Sequence, residues 1–258
     1  MSSPPPGWPP LASSPAALTD LARALGATDA TLSDVLGLDD DLLALLPSPC
    51  LALILIYPTV SAAESFWAER CEPSKLRPVF LRQRVGGSCG TVALLHALSN
   101  STPALAVEPG SPLEELLSTP EPGDGEAALV ARRSEWLANS TAVRAAHERC
   151  AELSTAAAAA GRQGRHYVAL VRIGTRLAVL DGRQPHARVV AGISTCAAGF
   201  LSAAAAEAAA LMATVGRAEA AAAGDGAVGG ADAAPRSALN AFSMLAMSAA
   251  PREVGTRV

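Results

Sequence analysis

The chain has 258 residues, enough for one domain with a substantial core. Half of them are hydrophobic but only 3% are aromatic, so alanine supplies much of the apolar content and the Leu, Val and Ile clusters must carry the core. A net charge of −4 at pH 7 argues against a dedicated nucleic-acid surface, which would need clustered Lys and Arg.

Residues 1–7 are mostly Ser, Pro and Gly and are expected to be disordered. Leu18, Leu21 and Leu25 recur at helical spacing. Residues 31–36 read as a short extended segment. Residues 39–46 read as a short helix whose leading aspartates suit the positive end of the dipole. The Leu/Ile run at 51–57 reads as a buried strand. It is far too short to span a bilayer. No basic region followed by an apolar run opens the chain, so neither a secretory signal nor a membrane partner is expected. Residues 62–71 read as a helix.

Residues 79–81 lead into Gln-Arg-Val-Gly-Gly-Ser-Cys-Gly-Thr at 83–91, with an apolar helix at 90–98 behind it. Cys89 therefore stands where a glycine-rich turn becomes a helix. The unpaired N–H groups of a first turn, and the positive end of its dipole, favour thiolate over thiol. The same groups can hold an oxyanion. Gln83 lies six residues upstream and brings a side-chain amide as a second donor. A cysteine alone is weak support, because free Cys is usually a small buried filler. Only a base changes that reading. Gly86-Gly87 is no phosphate loop, since the Lys-Ser/Thr that follows one is missing. His96 reads as a core histidine, two turns from the start of the helix.

Residues 113–117 read as a helix. Residues 127–151 read as a second, continuous one anchored by Trp136 and Val143, with His147 facing solvent. An Ala/Gly tract at 154–165 reads as a flexible loop. Next, residues 166–173 and 176–183 read as two strands around the tight turn Gly174-Thr175. A two-residue turn sets His166 opposite Arg183 and Asp181 opposite Val168. His166 and Asp181 then share a face as diagonal neighbours, roughly 7–8 Å apart between backbones. A three-residue turn would put them on opposite faces.

The chemistry suits the pair. Imidazole titrates in the range needed to take a thiol proton and return it to a leaving group, and a carboxylate fixes its tautomer. The alternative is a strand-end histidine followed by a solvated turn Asp. Arg183 and His186 read either as an exposed basic turn or as a prop for the Asp181 loop. Residues 203–213 read as an Ala-rich helix. The Gly/Ala tract at 221–234 reads as a disordered insertion before the last strand. The five cysteines, at 50, 71, 89, 150 and 196, include no CxxC pair, which argues against a zinc site or redox motif. Their odd number argues against a disulfide framework and for a reducing compartment, the cytoplasm.

At these residues the chain resembles the ubiquitin carboxyl-terminal hydrolase family of cysteine proteases. Five blocks carry the resemblance in the family's order: Trp-Pro-Pro-Leu-Ala-Ser-Ser-Pro at 8–15; Asp-Val-Leu-Gly-Leu-Asp at 34–39 with the Pro-rich entry to the strand at 46–58; the turn at 83–91; His166 with Leu-Asp-Gly-Arg at 180–183; and Asn-Ala-Phe-Ser-Met-Leu-Ala-Met at 240–247. The resemblance implies one papain-like α/β domain over residues 8–250. It also implies a central, mainly antiparallel sheet flanked by helices and a loop crossing over the active site. It makes Cys89 the nucleophile, His166 the general base and acid, Asp181 the orienter, and Gln83 an oxyanion donor beside the Cys89 amide. No metal or cofactor is implied. The implied partners are ubiquitin and its adducts, and the chain is expected to act as a monomer.

With little chain after residue 247, it resembles the small members that lack a helical extension and favour small leaving groups. It departs from the family at Gly87, where Asn is frequent. Two alternatives stand beside this reading: a non-catalytic ubiquitin-binding protein, and a protease for another ubiquitin-like modifier.

Overall fold

The Leu/Ile run becomes the middle of a six-stranded sheet in the computed structural model, which describes residues 7–70, 76–119, 125–154, 164–190, 197–222 and 242–250. The strands are β1 (Ala30–Asp34), β2 (Cys50–Pro58), β3 (Arg165–Ile173), β4 (Arg176–Leu180), β5 (Arg188–Val190) and β6 (Ser243–Ala249). Their order is β1-β6-β2-β3-β4-β5, and every neighbouring pair is antiparallel. The expectations for residues 1–6, for the loop at 155–163 and for residues 223–234 lie outside the described residues.

β2 reads as a continuous apolar run because both of its faces are covered. Ala52, Ile54 and Ile56 join the larger core cluster, together with residues of α1 (Pro15–Ala24), α4 (Cys89–Ser99) and α7 (Thr141–Ser154). Leu53, Leu55 and Tyr57 join a second cluster with α3 (Ser61–Ala68) and α8 (Ala197–Ala222). The result is a helix–sheet–helix sandwich, as the sequence predicts. Local signals set the helix starts. Ser14 accepts from Ala17 N at 3.4 Å ahead of Pro15, and Asp39 accepts from Leu42 N at 3.1 Å ahead of α2 (Asp40–Leu43). Ser111 does the same for α5 (Pro112–Ser118) at Glu114 N.

The β3–β4 hairpin has the two-residue turn. Ile173 pairs with Arg176 and Ala169 with Leu180, and Gly174 takes φ +59. Val168 and Leu170 of β3 and Leu177 and Val179 of β4 share the second cluster, the face that His166 and Asp181 follow.

Three expectations are corrected. The helix expected over 127–151 is two, α6 (Glu126–Asn139) and α7, separated by an extended Ser140 whose Oγ accepts from Val143 N at 3.3 Å. His147 does not face solvent but is completely buried. The helix expected over 203–213 is only the centre of α8, which begins at Ala197 and ends at Ala222. The short edge strand β5 is an addition to the predicted elements, and Arg188 ties it to Glu207 of α8 at 2.7 Å. Residues 199–221 of α8 are long and apolar enough to cross a bilayer by length and composition, yet Phe200, Ala204, Ala208, Leu211 and Val215 are buried in the second cluster.

Candidate active site

His166 opens β3 and Asp181 follows β4, so the hairpin's register alone brings them together. His166 Nε2 lies 2.6 Å from Asp181 Oδ1, and both side chains are almost fully buried. Burial is the strongest influence on each group and works against both charges. It is outweighed. The hydrogen bond to Asp181, a contribution from Cys89 and the Asp181 charge raise the imidazole above its ordinary value. The same bond, the imidazolium charge and the Arg183 N–H hold the Asp181 carboxyl below its ordinary value. The two directions agree, since each group favours the charged form of the other. Arg183 N donates to Asp181 Oδ1 at 2.9 Å, the propping role its place in the sequence suggested. Its side chain reaches Glu64 at 3.5 Å and is solvent-exposed, so that contact adds little. Tyr57, paired with His166 across β2 and β3, sets its ring edge-on to the imidazole at 5.6 Å.

Cys89 begins α4 and is half-buried. The imidazole's Nδ1 is buried and makes no hydrogen bond of ordinary geometry among the described residues. The sulfur nonetheless contributes to raising the ring's pKa. The sulfur therefore lies close enough to the ring to act on its charge. Ser88 leaves the first-turn amides free: its Oγ turns back to Val85 O at 2.8 Å and caps nothing.

The approach to Cys89, residues 79–83, belongs to no strand, so its backbone groups must find partners elsewhere. Val79 N bonds Asn100 Oδ1 at 2.8 Å, Leu81 N bonds His96 Nε2 at 3.1 Å, and Arg82 N bonds Ser134 Oγ at 2.7 Å. His96 is therefore the core histidine expected. It stacks on Phe80, and burial lowers its pKa to about 4. Gln83 N donates to Gly182 O at 2.9 Å, which ties the approach to Cys89 to the residue after Asp181. A Cβ on Gly182 would stand 2.8 Å from Val92 Cγ1 and 3.1 Å from Gln83 N, so a larger residue at this crossing would force Val92 or the Gln83 backbone to shift. The Gln83 side-chain amide donates to Val85 O at 3.1 Å, which leaves its second proton for another acceptor.

The sequence matches the family described as ubiquitin carboxyl-terminal hydrolase, family 1, over residues 8–212. The chain belongs to that family. Ubiquitin carboxyl-terminal hydrolase isozyme L1 of Homo sapiens is 32% identical over 157 residues, 59% of this chain and 68% of the relative. Ubiquitin carboxyl-terminal hydrolase 3 of Arabidopsis thaliana is 32% identical over 188 residues, 69% of this chain and 76% of the relative. Among solved structures, the UCH37 catalytic domain of Trichinella spiralis, bound to ubiquitin vinyl methyl ester, superposes with a TM-score of 0.65 at 18% identity. That match covers 95% of this chain and 96% of the other. The structural likeness establishes the papain-like fold. Family membership makes the chain a ubiquitin carboxyl-terminal hydrolase, an enzyme of the cysteine-peptidase type.

Of the four residues singled out in the sequence, the hydrolase fold joins His166 and Asp181 directly and places Cys89 against the same ring. Gln83 is joined to them through Gly182. Replacing Gln83 by Ala is expected to lower kcat by about 10- to 1000-fold with KM nearly constant, the signature of a donor used only in the transition state. Steady-state kinetics on a ubiquitin C-terminal reporter checks it, and an effect confined to KM would remove Gln83 from that role.

Sequence reasoning missed a set of contacts behind Cys89: Trp8 N with Gly86 O, His147 with Thr91 and Pro9, and Tyr167 with Leu11 O. One signal for His147 was present. Val143, Ala146, Cys150 and Ala151 surround it at helical spacing and are all buried.

Proposed function

We propose that this hydrolase removes small adducts from the C-terminal glycine of ubiquitin through a Cys89 acyl-enzyme. His166 Nδ1 takes the Cys89 proton, and the thiolate attacks the carbonyl carbon of the glycine. The resulting oxyanion accepts from the Gln83 side-chain amide and the Cys89 backbone N–H. As the tetrahedral intermediate collapses, the imidazolium returns its proton to the leaving group. Water, deprotonated by the same imidazole, then attacks the thioester, and Cys89 leaves as thiolate and is reprotonated. Asp181 stays ionised throughout and holds the ring by Nε2.

The observation that carries this reading is the buried His166–Asp181 pair at 2.6 Å, with the ring's other nitrogen unbonded beside Cys89. A binding protein has no use for such a pair, since an ionised couple taken out of water is expensive to maintain. The chemistry calls for no metal or cofactor. Cys50, Cys89 and Cys150 form no disulfide among the described residues, which suits the proposed cytoplasmic setting.

Ubiquitin carrying a C-terminal vinyl methyl ester tests nucleophile and partner together. The expected product is a one-to-one covalent adduct mapped by mass spectrometry to Cys89, alongside turnover of a ubiquitin–fluorophore amide. Cys50, whose thiol burial pushes up to about 12, is expected to stay unlabelled. Binding of ubiquitin with neither adduct nor turnover would make the protein a ubiquitin-binding scaffold. An adduct formed only with a different modifier would reassign the substrate.

A further inference from the structure

We infer that His147 is a positioning residue: it pins an N-terminal strap, residues 8–11, to the helix that carries Cys89. The inference rests on the hydrolase reading for its kinetic readout. His147 is completely buried on α7, with Nε2 2.7 Å from Pro9 O and Nδ1 2.7 Å from Thr91 Oγ1. A carbonyl can only accept, so Nε2 carries the proton. Burial holds the ring's pKa below its ordinary value against the opposing pull of the Pro9 bond and Glu148, so at neutral pH the ring is neutral. Nδ1 is then bare, and the Thr91 hydroxyl donates to it. The strap thus fixes the tautomer, and the tautomer fixes the direction of the Thr91 hydrogen bond.

Thr91 lies in the first turn of α4, two residues after Cys89. The strap reaches the same region by other routes. Trp8 N donates to Gly86 O at 2.8 Å, and the Trp8 ring lies 4.7 Å from the His147 ring. Gly90 faces Leu11 closely enough that a Cβ there would meet Leu11 Cδ1 at 3.1 Å. Leu11 O accepts from the Tyr167 hydroxyl at 2.9 Å, and Tyr167 is the neighbour of His166 in β3. One short segment therefore touches the nucleophile's turn, the nucleophile's helix and the base's strand.

The thiol and imidazole are carried by different elements, and small displacements between reacting groups are costly in rate. His147 holds both the strap and α4 by hydrogen bonds. An apolar residue in its place would leave the buried Thr91 hydroxyl without its partner and would cut the bond to the Pro9 carbonyl.

The test uses the full chain with Thr91→Val, His147→Phe and the double variant. Thr91→Val is isosteric and removes only the hydroxyl. His147→Phe keeps a ring in the site and removes both the donor to Pro9 O and the acceptor for Thr91. Each is expected to lower kcat on the ubiquitin–fluorophore amide about tenfold, with KM within about twofold, and to slow alkylation of Cys89 by iodoacetamide in parallel. The double variant is expected to be no slower than either single one, because the two groups form one link. Wild-type kcat and alkylation rates in both single variants, with only the thermal midpoint lowered, would overturn the inference. Multiplying losses in the double variant would overturn it too. Absence of wild-type turnover would sink the hydrolase reading instead, and the alkylation rates would still decide the role of His147.

Discussion

Replacing Asp181 by Asn is expected to lower kcat by roughly 100- to 10,000-fold while KM for a ubiquitin reporter stays nearly constant. The geometry can survive the change, because an amide oxygen can still accept from the Arg183 N–H and from His166 Nε2, both of which now meet Oδ1. The charge cannot survive it. Burial is the strongest influence on the His166 ring and lowers its pKa; Asp181 is what chiefly overcomes it. Without the carboxylate, an imidazolium at this buried position loses its main counter-charge, and the thiolate–imidazolium state loses its support. The loss therefore belongs to the chemical step. A comparable fall in ubiquitin binding, with single-turnover chemistry unchanged, would refute this.

The same substitution has a signature in stability. His166 is raised in the folded protein, so its contribution is complete below the ordinary histidine value and fades as pH climbs through the raised one. Asp181 is lowered, so its contribution is present above the ordinary carboxylate value and fades as pH drops through the lowered one. Between the two ordinary values, around pH 5 to 6, both are in force. There, Asp181→Asn is expected to destabilise the fold by about 3 kcal/mol, because it leaves a buried cation unpaired. At alkaline pH the ring is neutral in both proteins and the gap narrows. Thermal melts across that range check it, and a gap independent of pH would mean that the pair is not ionised.

The hairpin that makes this pair was legible because two signals agreed. Gly174-Thr175 supplies a two-residue turn, and the apolar runs beside it fix which face is buried. The turn into the helix at Cys89 was legible for a similar reason, since a glycine pair before an apolar run leaves few other structures. The break at Ser140 was harder to see. Asn139-Ser140-Thr141 contains neither Gly nor Pro, and only the Ser140 cap on Val143 marks a new helix. The misreading of His147 came from treating a polar residue type as a surface residue, although three of the four residues one helical turn from it, Val143, Cys150 and Ala151, are core. β5 has three half-buried residues at the sheet edge, too few for any periodicity to show. The strap was least legible of all. Its bonds join residues up to 156 positions apart through backbone carbonyls, and local sequence carries no mark of where a carbonyl will be used.

Gly87→Ala is expected to destabilise the protein by about 3 kcal/mol and to slow turnover more than 100-fold, for two separable reasons. Gly87 has φ +79, in the left-handed region that residues with a Cβ rarely enter. A Cβ there would also stand 1.9 Å from the Trp8 carbonyl oxygen and 2.9 Å from its carbon. The second contact is with backbone, so no side chain can swing aside to relieve it. The strap would have to move, and it is held by Trp8 N on Gly86 O and by His147 on Pro9 O.

Gly87→Asn separates the two causes. Asn enters the left-handed region more readily than Ala, yet it carries the same Cβ. Where conformation dominates, Asn recovers most of what Ala loses. Where the close approach dominates, the two variants behave alike. The 1.9 Å contact favours the second outcome, with the two stabilities within about 1 kcal/mol of each other and Cys89 alkylation slowed in both. Urea denaturation and alkylation rates decide it. A Gly87→Asn protein as stable and as reactive as the wild type would show that the strap yields freely, and would weaken the case that it positions Cys89.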